Sequence, residues 1–401
     1  MSVDARRILA AQAVRAFAYG LGAVLLGATL DQRGFTSTQA GLVLAAVLAG
    51  TVLASLAVGR WGDRIGRRRC YAALYGALTL TGIVFAYAGS LWPLLVVSLL
   101  GGLSTEVVES GPFTSLEQAM LAGELDRRRL ARGFGVYNAV AAGSGSLGAL
   151  AAAGIGLLRD HWTSAPGLSR FFLLLVLAAL AGIVLAGRLT AAVERPALTD
   201  TAPARALGES RPVVLRLAGL FAMDSFGGGF VVQAFIAFWL AERFNASVTV
   251  LGVTFFTVGI LQTASFLAAG RLADRFGLLA TMVFTHLPSN PLLVALAFAP
   301  NLPTAIALLL ARVVLSQMDV PTRQAYVMAL VDPAERTAAA SVTNTTRYLA
   351  RPIGPLLAGA TQTLGLGVPF VIAGTIKSAY DLILWRWFRR VALPEPEKIP
   401  S

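Results

Sequence analysis

The sequence has little charge for its length. Only 13% of its 401 residues are Asp, Glu, Lys or Arg, whereas 56% are hydrophobic. Ordinary soluble domains carry about 25% charged and roughly 45–50% apolar residues. So few charges cannot cover the water-facing surface of a chain this long, so the composition excludes a set of soluble domains. The same figures exclude a disordered chain, a collagen and a coiled coil.

Cysteine and histidine are also nearly absent. Cys70 is the one cysteine, so the chain can form neither an internal disulfide nor a cysteine-based zinc site. His161 and His286 are the two histidines, and their separation fits no metal-ligand spacing. No nucleotide-binding loop, metal cluster or nucleophile motif stands out in the sequence. The sequence therefore predicts no enzyme, no cofactor and no metal.

Long apolar runs take the place of these features. A helix needs about 20 apolar residues to cross the core of a bilayer. Twelve runs qualify, at residues 8–30, 37–59, 71–89, 91–121, 132–158, 168–189, 213–241, 247–269, 278–299, 302–330, 335–364 and 366–388. Eleven spans follow the first run, so we interpret it as an uncleaved helix and not as a signal peptide. The sequence predicts an all-α membrane protein with 12 transmembrane helices.

The distribution of Lys and Arg predicts the orientation of these helices. If the N-terminus is cytoplasmic, 23 of the 33 basic residues fall in cytoplasmic segments and four in external ones. Basic residues collect on the cytoplasmic side of membrane proteins. We therefore expect a multi-pass protein of the plasma (inner) membrane with both termini in the cytoplasm. The net charge of +12 is then explained by orientation, and we expect no nucleic-acid partner.

The chain contains an internal repeat. Residues 59–66 read GRWGDRIG, and residues 270–277 read GRLADRFG, with an offset of 211 positions. Each copy lies between the second and third span of a set of six. Residues 190–212 are rich in Ala, Pro, Thr and charge, which is typical of a linker. We predict an N-terminal six-helix bundle over 1–189, a cytoplasmic linker over 190–212, and a C-terminal six-helix bundle with a short cytoplasmic tail over 213–401.

The repeated segment resembles the loop motif of the major facilitator superfamily. Trp61 replaces the usual Leu, and the second copy lacks the basic pair because it has Leu278 and Leu279. The resemblance covers essentially the whole chain. It implies two pseudo-symmetric six-helix bundles and a secondary transporter that works by alternating access. It also implies a small-molecule substrate, protons and membrane lipids as partners, and we expect a monomer.

The motif also predicts a conformational latch. Gly66 permits a tight turn with positive φ, and Asp63 can meet the positive N-terminus of a neighbouring helix. The resemblance implies that Asp63 helps to hold the outward-facing state closed on the cytoplasmic side. The alternative is that the loop only sets orientation. The predicted latch residues are Gly59, Asp63, Arg64, Gly66, Arg67 and Asp274.

Ionisable residues inside the spans mark the candidate site, because they are costly in a bilayer. They form three stripes at helical spacing. The stripes are Gln12, Arg15 and Tyr19; Gly102, Glu106, Glu109 and Phe113; and Arg312, Ser316, Asp319 and Arg323. The resemblance implies that the first, fourth, seventh and tenth spans line a central cavity. We therefore predict a cavity lined by Gln12, Arg15, Tyr19, Phe113, Phe226, Phe230, Gln233, Arg312, Asp319, Arg323, Asn344 and Arg347.

Acidic residues in these spans are candidates for proton coupling. Glu106 and Glu109 lie about one helical turn apart, so like-charge repulsion favours protonation of at least one of them. Asp224, near the middle of the seventh span, is the next candidate. The alternative is that the charges form structural ion pairs, such as Arg15 with Glu106.

The same structural alternative pairs Asp319 with Arg323, and spacing predicts that Lys377 and Asp381 neutralise each other. Asp319 and Arg323 lie four residues apart on the tenth span, and so do Lys377 and Asp381 on the last span. Side chains at this spacing are neighbours on a helix surface. The second pair is therefore predicted to be structural.

Three functions are compatible with these features. The first choice is proton-coupled export of a small organic molecule, that is, efflux by an antiporter. The second is uptake or exchange of a small organic anion held by intramembrane Arg residues. A non-transporting membrane receptor or scaffold is the third. The Gly-Pro pair expected in the fifth span of an antiporter occurs in the eleventh, at Gly354 and Pro355, which leaves the direction of transport open.

Overall fold

A computed structural model describes residues 2–105, 111–124, 130–162, 164–194, 207–331 and 335–391. The described residues form α-helices and short 3₁₀ segments, without a strand among them. The helices are α1 (Val3–Gln32), α2 (Ser37–Ile65), α3 (Arg67–Tyr87), α4 (Leu91–Ser98), α5 (Pro112–Glu124), α6 (Leu130–His161), α7 (Leu173–Gly187), α8 (Arg211–Gly229), α9 (Gln233–Phe244), α10 (Val248–Phe276), α11 (Leu278–Ala297), α12 (Leu302–Ser316), α13 (Asp319–Leu330), α14 (Arg336–Ala350), α15 (Ile353–Gln362) and α16 (Val368–Phe388).

These helices account for the predicted membrane crossings. Ten helical segments of the described chain are long and apolar enough to span a bilayer. The fourth crossing, α4 with α5, and the eleventh, α14 with α15, are interrupted helices and complete the set of twelve. The predicted all-α membrane fold is confirmed. An even number of crossings places both termini at the same end of the bundle, called the terminal side below; the opposite end is the far side.

Several crossings are broken near their middle, which the apolar runs do not reveal. The seventh is divided between α8 and α9, the tenth between α12 and α13, and the eleventh at Pro352, which cannot continue a helix. In the fourth, residues 99–105 are not helical, and Gly101 has a φ of 71°. Such a conformation suits glycine because it lacks a Cβ. Broken membrane helices are tolerated where they line a cavity or are buried in protein.

The break in the fourth crossing corrects one predicted stripe. Gly102 lies in the non-helical segment, whereas Phe113 belongs to α5, so the two do not share the face of one helix. Glu106 and Glu109 lie outside the described residues. Their role in proton coupling stays a prediction.

The repeated motif forms two equivalent helix ends. α2 continues to Ile65 and α10 to Phe276, so most of each copy is helical and not the loop that the sequence predicted. The turn that follows is a single glycine in both copies, with φ of 98° at Gly66 and 86° at Gly277. The two helices continue through the motif because neither copy contains a proline, and each ends at the glycine with positive φ.

Close packing joins the two halves of the chain on the far side. A Cβ atom on Gly41 of α2 would lie 2.9 Å from the Cα of Gly359 on α15. One on Gly252 of α10 would lie 2.6 Å from the carbonyl oxygen of Ala149 on α6. Glycine lets helices approach this closely inside a membrane. The conformation is therefore one in which the halves are closed together on the far side.

Carboxylates hold the described ends of the predicted linker. Glu194 accepts hydrogen bonds from the backbone N–H groups of Arg67, at 2.7 Å, and Arg68, at 3.0 Å. It thereby satisfies the N-terminus of α3, where helices favour negative charge. Glu335 does the same before α8, accepting from the N–H group of Gly208 at 2.9 Å. Residues 195–206 lie outside the described chain, and the division into two bundles and a linker stays a prediction.

The latch residues lie at this terminal side. Gly59 and Arg64 are exposed on α2, and Asp274 is exposed on α10. The side chain of Asp63 lies outside the described part of the structure. Glu194, which the sequence did not single out, engages the motif through the N–H groups of Arg67 and Arg68, and the latch role stays a prediction.

Candidate functional site

A polar cavity of about 200 Å³ lies among the helices of the C-terminal half. It is bounded by α8 to α14 and α16, and Thr105 of the fourth crossing reaches it from the N-terminal half. Seven of the described residues that line it have charged side chains: Asp224, Asp319, Arg312, Arg323, Arg347, Arg351 and Lys377. Five of these are cationic and two are carboxylates.

The two carboxylates of the lining are already engaged. Asp224 on α8 lies 2.5 Å from the Nζ atom of Lys377 and 3.5 Å from the Nη1 atom of Arg323. Asp319 on α13 accepts a hydrogen bond of 2.7 Å from Arg323, which is the structural pairing that the sequence offered as an alternative to a functional role. The described acids therefore engage Lys377 and Arg323.

Arg312 is the least committed of these cations. Its side chain is 9% exposed and lines the cavity from α12. Among the described residues, no hydrogen bond or ion pair holds it, and its Nε atom is buried without a partner. Asp224 and Asp319 act on it only through space. A buried charge in this setting is costly unless a ligand compensates it.

The sequence paired Lys377 with the wrong acid. Lys377 and Asp381 are four residues apart on α16, but Lys377 reaches across to Asp224 on α8. Asp381 is fully buried and accepts hydrogen bonds from His286 Nδ1 at 2.8 Å and from Asn290 Nδ2 at 2.8 Å. Contacts with neighbouring helices therefore replace the pairing within α16: Lys377 pairs with Asp224, and Asp381 receives two hydrogen bonds from α11.

The sequence assigned no role to His286, because its separation from His161 fits no metal-ligand spacing. The structure places it in the cavity wall. Its Nε2 atom lies 3.9 Å from Asp224, opposite the nitrogen that meets Asp381. His286 and Asn290 are separated by one turn of α11, on the face toward α16. That i, i+4 polar pair in an apolar span was the signal in the sequence that could have pointed to this network.

A second buried network lies in the N-terminal half. Arg15 on α1 donates to Glu117 on α5 through Nη2 at 2.7 Å and Nε at 3.2 Å. The hydroxyl groups of Tyr71 and Tyr137 also donate to Glu117, which is fully buried. The proposed partner of Arg15 was Glu106; the described partner is Glu117, one of the acids that sequence analysis did not select. Arg15 is held in the N-terminal bundle and does not line the described cavity.

The other predicted residues of the first stripe share this location. Gln12 donates to the carbonyl of Tyr137 at 2.9 Å, and Tyr19 donates to the carbonyl of Gly102 at 3.0 Å. The ring of Phe113 packs edge-on against Tyr75, with centroids 4.8 Å apart. All three predicted residues are buried in the N-terminal bundle, outside the described cavity.

In the C-terminal half, the predicted residues divide between the cavity and the packing. Gln233 lines the cavity together with the charged residues already described. Phe226 and Phe230 pack edge-on against each other, 5.3 Å between centroids, and Asn344 is exposed on α14. Hence the predicted residues that meet at the cavity are Asp224, Gln233, Arg312, Asp319, Arg323 and Arg347.

The cavity is amphipathic along the bundle axis. Val231, Ile236, Phe255 and Leu309 line it where α9, α10 and α12 lie nearer the far side. The charged residues line the part nearer the middle of the crossings. A ligand that fits this shape has a charged group and an apolar body.

Comparison with known sequences gives the family. A profile of the Major Facilitator Superfamily matches residues 8–238 and 217–401. An uncharacterized membrane protein of Saccharomyces cerevisiae is 25% identical over 418 residues, covering 96% of this chain and 93% of the yeast protein.

Solved structures share the fold. The inward-open xylose transporter XylE from E. coli has a TM-score of 0.72 at 14% identity, covering 98% of this chain and 97% of its own. The human organic anion transporter MFSD10 has a TM-score of 0.62 at 19% identity, covering 96% of this chain and all of its own. With the profile spanning the chain, the resemblance noted in the sequence is confirmed: the protein is a multi-pass membrane transporter of the Major Facilitator Superfamily.

Proposed function

We propose that the protein transports a small organic anion by alternating access. The observation that carries the proposal is Arg312, a buried cation of the lining that pairs with neither of the two described lining carboxylates, Asp224 and Asp319. Lys377 and Arg323 are engaged by those carboxylates, and Arg312 is buried with no ion pair among the described residues. An anionic group of the substrate would compensate this charge through charge-assisted hydrogen bonds.

The apolar part of the lining supports an organic ligand over an inorganic ion. Phe255, Val258 and Leu309 offer surface to a hydrocarbon body while Arg312 faces the same space. Small-molecule sites combine such apolar surface with polar groups that fix the orientation of the ligand. The similar fold of a human organic anion transporter is compatible with this substrate class, although its 19% identity concerns the fold only.

Proton-coupled export, the first choice from the sequence, receives less support from the cavity. Its assigned acid pair, Glu106 and Glu109, lies outside the described residues. Asp224 and Asp319 are already bonded to cations of the protein, so neither carboxylate is free to hold an organic cation. Export and its direction stay predictions, and a xylose–proton symporter with the same fold is a precedent for the opposite coupling.

Three ligands of nearly equal size and different charge test the proposal. Purified protein is heated with benzoate, benzylammonium or benzyl alcohol, and the shift in Tm is measured. A ligand present at one hundred times its Kd stabilises the folded state by about 2.7 kcal/mol. We expect stabilisation by benzoate alone. Stabilisation by benzylammonium alone would favour export of cations, and a protein that binds none of these but still resists unfolding would favour the scaffold.

Uptake into proteoliposomes supplies the second measurement. Labelled benzoate should enter vesicles that contain the protein and not empty vesicles. Unlabelled benzoate should compete, whereas benzyl alcohol should not.

A further inference from the structure

We propose that His286 is the site at which the protein binds a proton that travels together with the anion. This inference rests on the proposed anion transport and adds the coupling ion and its binding residue. It makes the protein a proton–anion symporter, and it places the coupling in the C-terminal half of the chain.

The position of the two ring nitrogens carries the argument. Nδ1 of His286 lies 2.8 Å from one carboxylate oxygen of Asp381, and Nε2 lies 3.9 Å from a carboxylate oxygen of Asp224. A neutral imidazole has one N–H group, whereas an imidazolium has two. With its single proton on Nδ1, the neutral ring would direct a lone pair at the Asp224 carboxylate. The protonated ring instead directs an N–H group at each carboxylate.

The charges around His286 leave room for that proton. Asp381 and Tyr380 contact it from α16, and Asp224 lies near it on α8. The other charged residues of the described lining share its cavity: Lys377, Asp319, Arg323, Arg312, Arg347 and Arg351. Asp381 is fully buried, and its described hydrogen-bond partners are His286 and the neutral Asn290. No Lys or Arg is among the described partners of Asp381, so a proton on His286 would give this buried carboxylate a cationic partner. A buried carboxylate needs such a partner.

Proton and anion then favour each other's binding. His286 lines the cavity, so a proton can reach it from the same aqueous space as the substrate. Once protonated, the ring shares the Asp224 carboxylate with Lys377, which adds positive charge beside Arg312. The substrate anion therefore binds more tightly to the protonated state, and by linkage its binding draws a proton onto His286. No covalent bond forms or breaks; one proton and one anion enter the site.

The histidine content of the chain allows a direct measurement. His161 is exposed at the end of α6, so His161→Gln removes the other imidazole without touching the cavity. In that variant the imidazole signals in a ¹H–¹³C NMR spectrum come from His286 alone. We expect saturating benzoate to move their titration midpoint to higher pH, and benzyl alcohol to leave it unchanged. A midpoint that benzoate does not move would overturn the proposal.

Proton uptake measured with a pH-indicator dye supplies the second test. Wild type and His161→Gln should each take up about one proton per benzoate bound when the unliganded imidazole is mostly neutral, and the Kd should rise about tenfold per pH unit there. His286→Asn keeps a donor for Asp381 but cannot titrate. It should still bind benzoate, take up no proton and show a nearly constant Kd.

The outcomes separate this inference from the proposed function. Equal proton uptake by His286→Asn and wild type would move the proton site elsewhere and overturn the assignment. Benzoate binding by wild type without any uptake would overturn coupling while anion transport stands. A wild-type protein that binds benzylammonium and not benzoate would overturn the proposed function itself, and this inference with it.

Discussion

Arg312 combines burial, position in the cavity and a lack of ion pairs among the described residues. A charge inside a membrane protein is costly and is usually tied to function. Asp224 and Lys377 show the other case, since each satisfies its partner. A buried charge without an ion pair is a candidate for ligand recognition, whereas a paired charge has a structural partner. This difference leads to a prediction about Arg312.

Arg312→Gln should weaken benzoate binding and leave the fold at least as stable. A hydrogen bond to a charged group contributes about 1.5–3 kcal/mol, so the Kd should rise roughly 10- to 150-fold. Removing a buried, uncompensated cation should keep or raise the Tm without ligand. Both quantities can be measured by thermal shift. Arg312→Lys should recover part of the affinity, and Arg216→Gln, exposed on α8 and outside the cavity, should change neither quantity. A lower Tm with unchanged benzoate affinity would show that Arg312 is structural.

Sequence spacing identified the ionisable residues of the site but only some of their partners. Arg312, Asp319 and Arg323 were found because charges stand out in an apolar span. His286 was missed because a neutral imidazole does not stand out, and its role depends on Asp381, 95 positions away. The type of a residue shows that burying it in a membrane is costly. Which residue it pairs with depends on which helix lies opposite.

At the scale of helices, glycine contacts decide how tightly the halves close on the far side. Gly252 of α10 meets the backbone of Ala149 and Ala153 on α6, whereas a Cβ atom on Gly143 of α6 would meet nothing within 4 Å. Both glycines lie inside helices, so Ala improves helix propensity equally, by about 1 kcal/mol. Any difference between the two variants therefore reports on the contact between the halves.

Gly252→Ala should separate the halves on the far side, and Gly143→Ala should not. Spin labels at Ser90 and Thr363, exposed on the far side of each half, report the separation once Cys70 is replaced by Ala. Double electron–electron resonance should show the label distances shifting to longer values for Gly252→Ala. If both variants match the parent, this packing does not hold the far side closed.

At the scale of the whole molecule, the distribution of basic residues predicts cytoplasmic termini and linker. In a chain with Cys70 replaced, a cysteine at Ala202 in the linker should resist an impermeant maleimide in intact cells and react after lysis. A cysteine at Ser90, on the opposite side, should react in intact cells and serves as the control. The reverse pattern would invert the topology, and with it the direction in which the cavity faces.

The sequence by itself determined the membrane, the number of crossings, the repeat and the family. These follow from features that can be read without knowing which helices meet: the composition, apolar runs of about 20 residues and a motif repeated at an offset of 211. The expectations of a monomer, lipid partners and a plasma-membrane location also come from this level and stay predictions.

Only the tertiary structure decided the pairing of charges and the place of the cavity. Arg15 meets Glu117 across 102 positions of sequence, and Lys377 meets Asp224 across 153. Periodicity fixes which residues share a helix face, but the rotation and tilt of each helix determine which faces meet. Breaks near Gly229, Gln317 and Pro352 change those rotations partway through a crossing. The positive cavity in the C-terminal half exists because these broken helices turn their charged residues toward one another.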